Sequence, residues 1–347
     1  MKKLYLLFPL LLFVFITCEE EQKEQQEEVL DTTPTEVTLW DVTYSVEDTD
    51  TLYLLDIQLT GSIPSEIGNL TNLTYLNLGG NQLTGEIPSE IGNLTNLTYL
   101  SFGSNQLTGI PSEIGKLINL TYLNLVWNQL TGPIPSEIGN LTNLSYLGLN
   151  NNQITGEIPS EIRNLKNLTG LHLGNNQFTR EIPPEIGNLT NLTRLILYGN
   201  QLTRMIPSEI GNLTNLTYLN LRDNQIIGSI PPEIGNLTNL NRLFLYNNQL
   251  IGSIPLEISN LTNLTELSLE NNQLTGGIPH GIGNLTNLIN LILNDNQLTG
   301  VIPESICDLN IDWSNSSYFN ITNNQLCPPY PSCVEEYVGN QDNSNCD

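Results

Sequence analysis

Few residues of this 347-residue chain have the type and spacing for covalent chemistry. The two histidines, His172 and His280, are far apart, and neither has a cysteine or second histidine at metal-ligand or nucleophile spacing. No GxSxG, HExxH or phosphate-loop string occurs, so no enzyme activity, metal or other cofactor is expected. Cys18 stands alone, whereas Cys307, Cys327, Cys333 and Cys346 crowd the C-terminus without a CxxC pair, which favours two disulfides over zinc. Three pairings are open, and Cys307–Cys327 with Cys333–Cys346 is the favoured one. A row of glutamates (Glu66, Glu90, Glu113, Glu137, Glu161, Glu185, Glu209, Glu233, Glu257) reads as a solvated surface row, since no DxDxDG-like calcium loop accompanies it.

The side chains are better suited to recognition. With 11 basic against 36 acidic residues the net charge is −25, which argues against a nucleic-acid partner. Apart from Lys2, Lys3 and Lys23, every basic residue lies between Lys116 and Arg242, with Arg163, Lys166, Arg180, Arg194, Arg204 and Arg222 in the interval. Such a basic cluster inside an acidic chain needs an element that presents it.

That element is a repeat. Ten copies open at Leu73, Leu97, Leu120, Leu144, Leu168, Leu192, Leu216, Leu240, Leu264 and Leu288, in steps of 24 residues except for 23 after Leu97, where one residue is missing between Gly109 and Ile110. The string LxxLxLxxNxLTGxIPxxIGNLxN resembles the leucine-rich repeat, in the plant-type subclass of plant receptor ectodomains and polygalacturonase-inhibiting proteins. A degenerate copy precedes the series (Leu52, Leu54, Leu59, Gly61, Ile63, Pro64, with Ile57 where Asn is expected), and a closing copy follows through Phe319, Ile321, Asn324 and Leu326.

Elementary physics leads to the same architecture. Leu76 and Leu78 alternate as in a short strand with one buried face, so the copies stack as a parallel sheet. Asn81 and its equivalents up to Asn296 must bond backbone of their own and neighbouring coils, because an unpaired buried amide costs roughly 1–3 kcal/mol. In Leu-Thr-Gly-x-Ile-Pro the glycine permits positive φ and the proline stops regular structure. Ser-Glu-Ile-Gly-Asn-Leu then suits a single short helical turn. The predicted fold is an α/β solenoid, a curved leucine-rich repeat horseshoe or superhelix with a parallel β-sheet on its concave face and short 3-10 or helical turns on its convex face. At about 4.8 Å per strand, some twelve strands give a concave face roughly 50 Å long.

The outward strand positions carry the candidate site. Early copies offer Tyr75, Tyr99, Tyr122 and Tyr146, with small or polar neighbours. The copies opening at Leu192, Leu216 and Leu240 place Arg194, Ile196, Tyr198, Tyr218, Arg222, Asp223, Arg242, Phe244 and Tyr246 on the concave face, residue types enriched at binding hot spots. Tyr122, Val126 and Trp127 form a secondary patch. His172 is expected on the concave face among small residues and His280 on a convex turn.

The ends suggest location. Residues 1–17 read as an export signal. The apolar run ending at Cys18 resembles the lipobox of bacterial lipoproteins, although Thr17 stands where Gly, Ala or Ser is usual. That resemblance implies lipidation of Cys18 and anchoring to a membrane. Residues 18–36, acidic and Gln-rich, read as the lipidated cysteine with a disordered tether about 25 Å in span. The expected body is an N-terminal cap with the degenerate repeat (37–72), the leucine-rich repeats (73–306) and a C-terminal cap holding four cysteines (307–347). An exported, cell-surface or outer-membrane lipoprotein that binds a protein or glycan in its concavity is the leading functional expectation. Secretion as an inhibitor of a foreign hydrolase is the alternative. A third expectation is a lattice for ice or polysaccharide, built from the threonine rows (Thr74, Thr98, Thr121, Thr169, Thr193, Thr217 and Thr84, Thr108, Thr131, Thr155, Thr179, Thr203).

Overall fold

The structure, a computed structural model, describes residues 34–346. The export signal, Cys18 and the tether up to residue 33 lie outside the described residues. The described residues open with a hairpin of Glu36–Leu39 against Val42–Ser45, so Glu36 belongs to a strand rather than to the expected tether. Trp40 and Asp41 close it at φ 46° and 65°, the conformation that two-residue hairpin turns require. Val37 and Leu39 are buried and cover the first coil, shielding an apolar end that stacking alone leaves open.

Twelve parallel strands follow in chain order, from Thr51–Tyr53 to Phe319–Asn320. Most are three residues long, because only the central leucine and the one after the strand must point into the core: Leu76, Leu100, Leu123 and their equivalents are fully buried. On the opposite side each coil returns through a five-residue 3-10 turn preceded by proline, as in Ser65–Asn69 after Pro64. Most of these turns carry a glycine where neighbouring turns nearly touch, and a Cβ on Gly68 would lie 2.5 Å from the Glu90 carbonyl of the next coil; Arg163, Ser259 and Cys307 take that position in three others. The fold is the α/β leucine-rich repeat solenoid that the repeat predicts.

Asn81 is 8% exposed and fully engaged. Its Nδ2 donates to the carbonyls of Leu54 (2.8 Å), Leu78 (2.8 Å) and Gly79 (3.0 Å), and its Oδ1 accepts from the amides of Ile57 (3.2 Å) and Leu59 (2.9 Å). Its equivalents as far as Asn324 keep the three donations and accept from a single amide. A second, exposed ladder runs along the edge, where Asn96 Nδ2 donates to Thr71 O and Asn167 Nδ2 to Thr142 O, each at 2.9 Å. Many of the Asn-Leu-Thr strings in the sequence are therefore coil-to-coil couplings.

Two departures from the repeat have local consequences. The copy that lacks a residue after Gly109 interrupts the outer strands: Gln106–Leu107 ends one small sheet, and the next outer strand is Thr155–Gly156. Arg180 and Arg204 replace the turn glycine yet keep φ near +64° and +67°, beside +78° at Gly85, a conformation costing roughly 1–2 kcal/mol for a residue with a Cβ.

The expected pairing of cysteines is corrected: the bridges are Cys307–Cys333 and Cys327–Cys346, with Cα separations of 5.7 and 5.5 Å. Cys307 lies in the 3-10 turn Glu304–Asp308, whereas Cys327 ends the outer strand Gln325–Cys327, beside Val301, so the two sit on different stretches of the coil. The fully buried Val334 carries its neighbour Cys333 onto the turn of Cys307.

Candidate functional site

Sheet register fixes which side chains meet on the concave face. Along the first outward position the order is Tyr75, Tyr99, Tyr122, Tyr146, Gly170, Arg194, Tyr218, Arg242, Glu266 and Asn290. The second position brings His172, Ile196, Asn220, Phe244 and Ser268 side by side. Just past the strands, backbone bonds continue the same register and align Tyr198, Arg222, Tyr246, Glu270 and Asn294.

The early tyrosines are satisfied by one another. Rings of Tyr75, Tyr99, Tyr122 and Tyr146 stack at 4.3, 4.6 and 4.6 Å, so Tyr122 of the secondary patch is also a member of this row. Burial pushes the Tyr99 and Tyr146 hydroxyls up to about 12. The stack ends where Tyr146 meets His172 edge-on at 4.9 Å, with Tyr146 Oη 3.1 Å from His172 Nδ1. His172 therefore has Gly148 and Gly170 beside it, among small residues as expected, and also packs on the Tyr146 ring. Burial, with the nearby Arg194 cation, lowers its pKa to about 4, which leaves the imidazole neutral at pH 7. His280 opens the 3-10 turn His280–Asn284, on the convex side as expected.

Beyond Gly170 the face changes character. Arg222 lies between two rings, its guanidinium carbon 4.9 Å from the centroid of Tyr198 and 5.3 Å from that of Tyr246, and it donates to Tyr246 Oη. Its Nε is 3.4 Å from Asp223 Oδ2, too poorly aligned for a hydrogen bond, while Asp223 Oδ1 accepts from Asn247 at 2.6 Å. Phe244 meets Tyr218 and Tyr246 edge-on at 5.7 and 6.4 Å. Arg242 is paired with Glu266 at 2.9 Å. Arg194 is exposed, has Gly170 as one register neighbour, and makes no ion pair among the described residues. Register thus places eight of the nine concave residues read from the sequence in these three rows, and Asp223 sits in the turn just beyond Arg222.

Glu266 and Glu270 lie on the same surface and are not among the residues singled out from the sequence, which were arginines and aromatics with one aspartate and one isoleucine. Their signal was positional: they occupy the sites of Arg242 and Tyr246 one copy later. Burial, with the Asp223 charge and against Arg222, lifts Glu270 to about 7, and its Oε2 is buried without a hydrogen-bond partner. Because this raised folded-state value exceeds the unfolded one, stability should fall as pH climbs from about 4.5 to about 7, the reverse of the usual carboxylate. Glu270→Gln is expected to melt like wild type at pH 4 and to be more stable at pH 8. The gain should be about 1 kcal/mol after discounting for screening of a partly exposed group. Melting curves of both proteins across that range check this; equal stability at pH 8 would contradict it.

Val126 is half-buried, whereas Trp127 is 60% exposed with φ near +55°, at a position that Gly, Ser, Asn or Asp fills in other copies. A separate groove of about 600 Å³ lies on the outer side, around Met205, Ile227 and Pro231. Among the described residues no group of three or more His, Cys, Asp or Glu side chains is placed to hold a metal, and no helix is long and apolar enough to cross a membrane.

The sequence profile of the leucine-rich repeat region family matches residues 45–145, 129–223 and 201–310. No curated protein matches. Among solved structures, a plant peptide hormone receptor in complex with its hormone is 41% identical, with a TM-score of 0.73 over 80% of this chain and 44% of that one. The Arabidopsis receptor kinase HAESA, in complex with the peptide hormone IDA and the co-receptor SERK1, is 34% identical, with a TM-score of 0.76 over 84% and 50%. A leucine-rich repeat protein of Leptospira interrogans is 37% identical, with a TM-score of 0.60 over 81% and 74%. The chain spans about half the length of these plant receptor chains.

Proposed function

Because the chain belongs to the leucine-rich repeat region family, we propose that its concave sheet is the binding face of a non-catalytic module and that it takes a segment of another protein. The observation that carries this reading is Arg222, held between the rings of Tyr198 and Tyr246 and bonded to the second of them. A cation fixed in this way loses little side-chain entropy on binding, and it is flanked by the aromatic groups that dominate interface energies. Similar structures carry bound peptide hormones, which agrees with a peptide or protein ligand here. Two disulfides fit an oxidising, exported setting. Anchoring through a lipid at Cys18, with the following acidic residues as tether, completes the proposal as a cell-surface module.

The threonine lattice has less in its favour. Thr98, Thr121, Thr169, Thr193 and Thr217 donate their hydroxyls to the preceding coil at 2.9–3.0 Å, so those protons are not free to order water or sugar.

The test is an array of surface proteins, peptides and glycans probed with the protein and with an Arg222→Glu, Tyr246→Ala variant. At least tenfold weaker binding of the variant is expected, about 1.4 kcal/mol. Undiminished binding would move the site elsewhere, and capture of glycans alone would replace the protein reading. A ligand that proves to be a hydrolase would favour the inhibitor alternative.

A further inference from the structure

Resting on the protein-binding reading above, we propose that the concave face selects an extended peptide segment by a charge pair, an acidic residue set against Arg194 and a basic residue set against Glu270, four to six positions apart.

Arg242 is neutralised by its register neighbour Glu266, and Arg222 is shared between Tyr246 and the nearby Asp223. Arg194 has no such partner among the described residues: Gly170 on one side offers no side chain, and on the other Tyr218 accepts from Asn220 of its own strand at 3.2 Å. It is a cation with an open approach.

At the far side, Glu270 Oε2 and Asn294 Oδ1 are both buried acceptor atoms without donors, on adjacent coils. The Asn294 amide is not reversible at no cost, because its Nδ2 donates to Asp295 Oδ2 at 2.5 Å. Two orphaned acceptors on neighbouring coils call for a group with several N–H donors, as an ammonium or guanidinium has. Partially buried, they reward such a group more than an exposed carboxylate would.

Geometry gives the spacing. The strand of Arg194 and that of Glu266, which leads into Glu270, are three steps apart in the sheet order, roughly 14 Å along the solenoid at about 4.8 Å per step. The offset between the two rows lengthens the path to under about 20 Å, and an extended peptide advances about 3.3 Å per residue. Between the two charges lie Phe244 and Tyr246, which suit an apolar residue in the middle of the segment. The site therefore reads direction as well as composition, since its two ends have opposite sign.

A display library of random twelve-residue peptides, panned on the immobilised full chain, tests this. Wild type is expected to enrich, at least tenfold over the starting library, an acidic and a basic residue four to six positions apart in one fixed order. The Arg194→Glu, Glu270→Lys variant should enrich the same spacing in the opposite order. Arg194→Gln with Glu270→Gln, a milder change that guards against misfolding of the first, should enrich neither order. Peptides enriched on wild type without the pair, or in the same order on the swapped variant, would overturn the charge code and leave the binding face intact. No enrichment on wild type would overturn both.

Discussion

Replacing Asn176 by alanine is expected to destabilise the solenoid by about 3–4 kcal/mol, in the tail of single-substitution effects. Its Nδ2 donates to Leu149, Leu173 and Gly174 carbonyls at 3.0, 3.1 and 3.3 Å, and its Oδ1 accepts at 3.0 Å from the Ile154 amide, which has no other acceptor. The alanine variant leaves that amide buried and unpaired between two coils. In a stack where each coil touches only its neighbours, a weak interface in the middle should also broaden the transition. The edge ladder supplies the control: Asn167 makes one exposed bond, to Thr142 O, so Asn167→Ala should cost no more than about 1 kcal/mol. Chemical denaturation of both variants reads the difference, and equal losses would mean that the buried ladder is not what couples the coils.

Removing the C-terminal bridges is the second large effect. Cys307–Cys333 and Cys327–Cys346 close segments with sequence separations of 26 and 19, each expected to contribute about 3 kcal/mol. Cys307→Ser with Cys333→Ser opens one bridge. Cys307→Ser with Cys327→Ser opens both and should fray the last coils further. Because no lysine or arginine follows Arg242, trypsin is blind to this region, whereas chymotrypsin can cut after Trp313, Tyr318 and Tyr337. Faster chymotryptic cleavage there, greatest in the variant lacking both bridges, is the expected result. Cleavage as slow as in wild type would show that packing around Phe319 and Val334 holds the cap alone.

What sequence could and could not reveal follows from how each feature is encoded. The coil step, the buried leucines and the inward asparagines are periodic, and a period repeated ten times leaves little else that buries Leu76, Leu78 and Asn81 together. Concave residues could be placed because every second strand position faces out, which is why Arg194, Tyr218 and Arg242 are neighbours as read. Their occupation by one another is not periodic. Nothing in the string separates Tyr99, stacked on two neighbours, from Tyr198, which faces an arginine. The disulfide pairing depended on how the chain folds back after Cys327, which the repeat no longer dictates. Glu270 is one of 36 acidic residues; its place one copy after Tyr246 is legible in the string, but its burial is not.

On the proposed function, the ligand docks on the concave coils between Arg194 and Glu270. Oxidative side-chain footprinting of the protein, with and without its tightest array ligand, tests it most directly. Protection of Tyr198, Phe244 and Tyr246, with Trp127 and Met205 oxidised as before, is the result predicted here. Protection confined to Trp127, or to Met205 in the outer groove, would contradict the assignment and place the binding surface elsewhere on the solenoid.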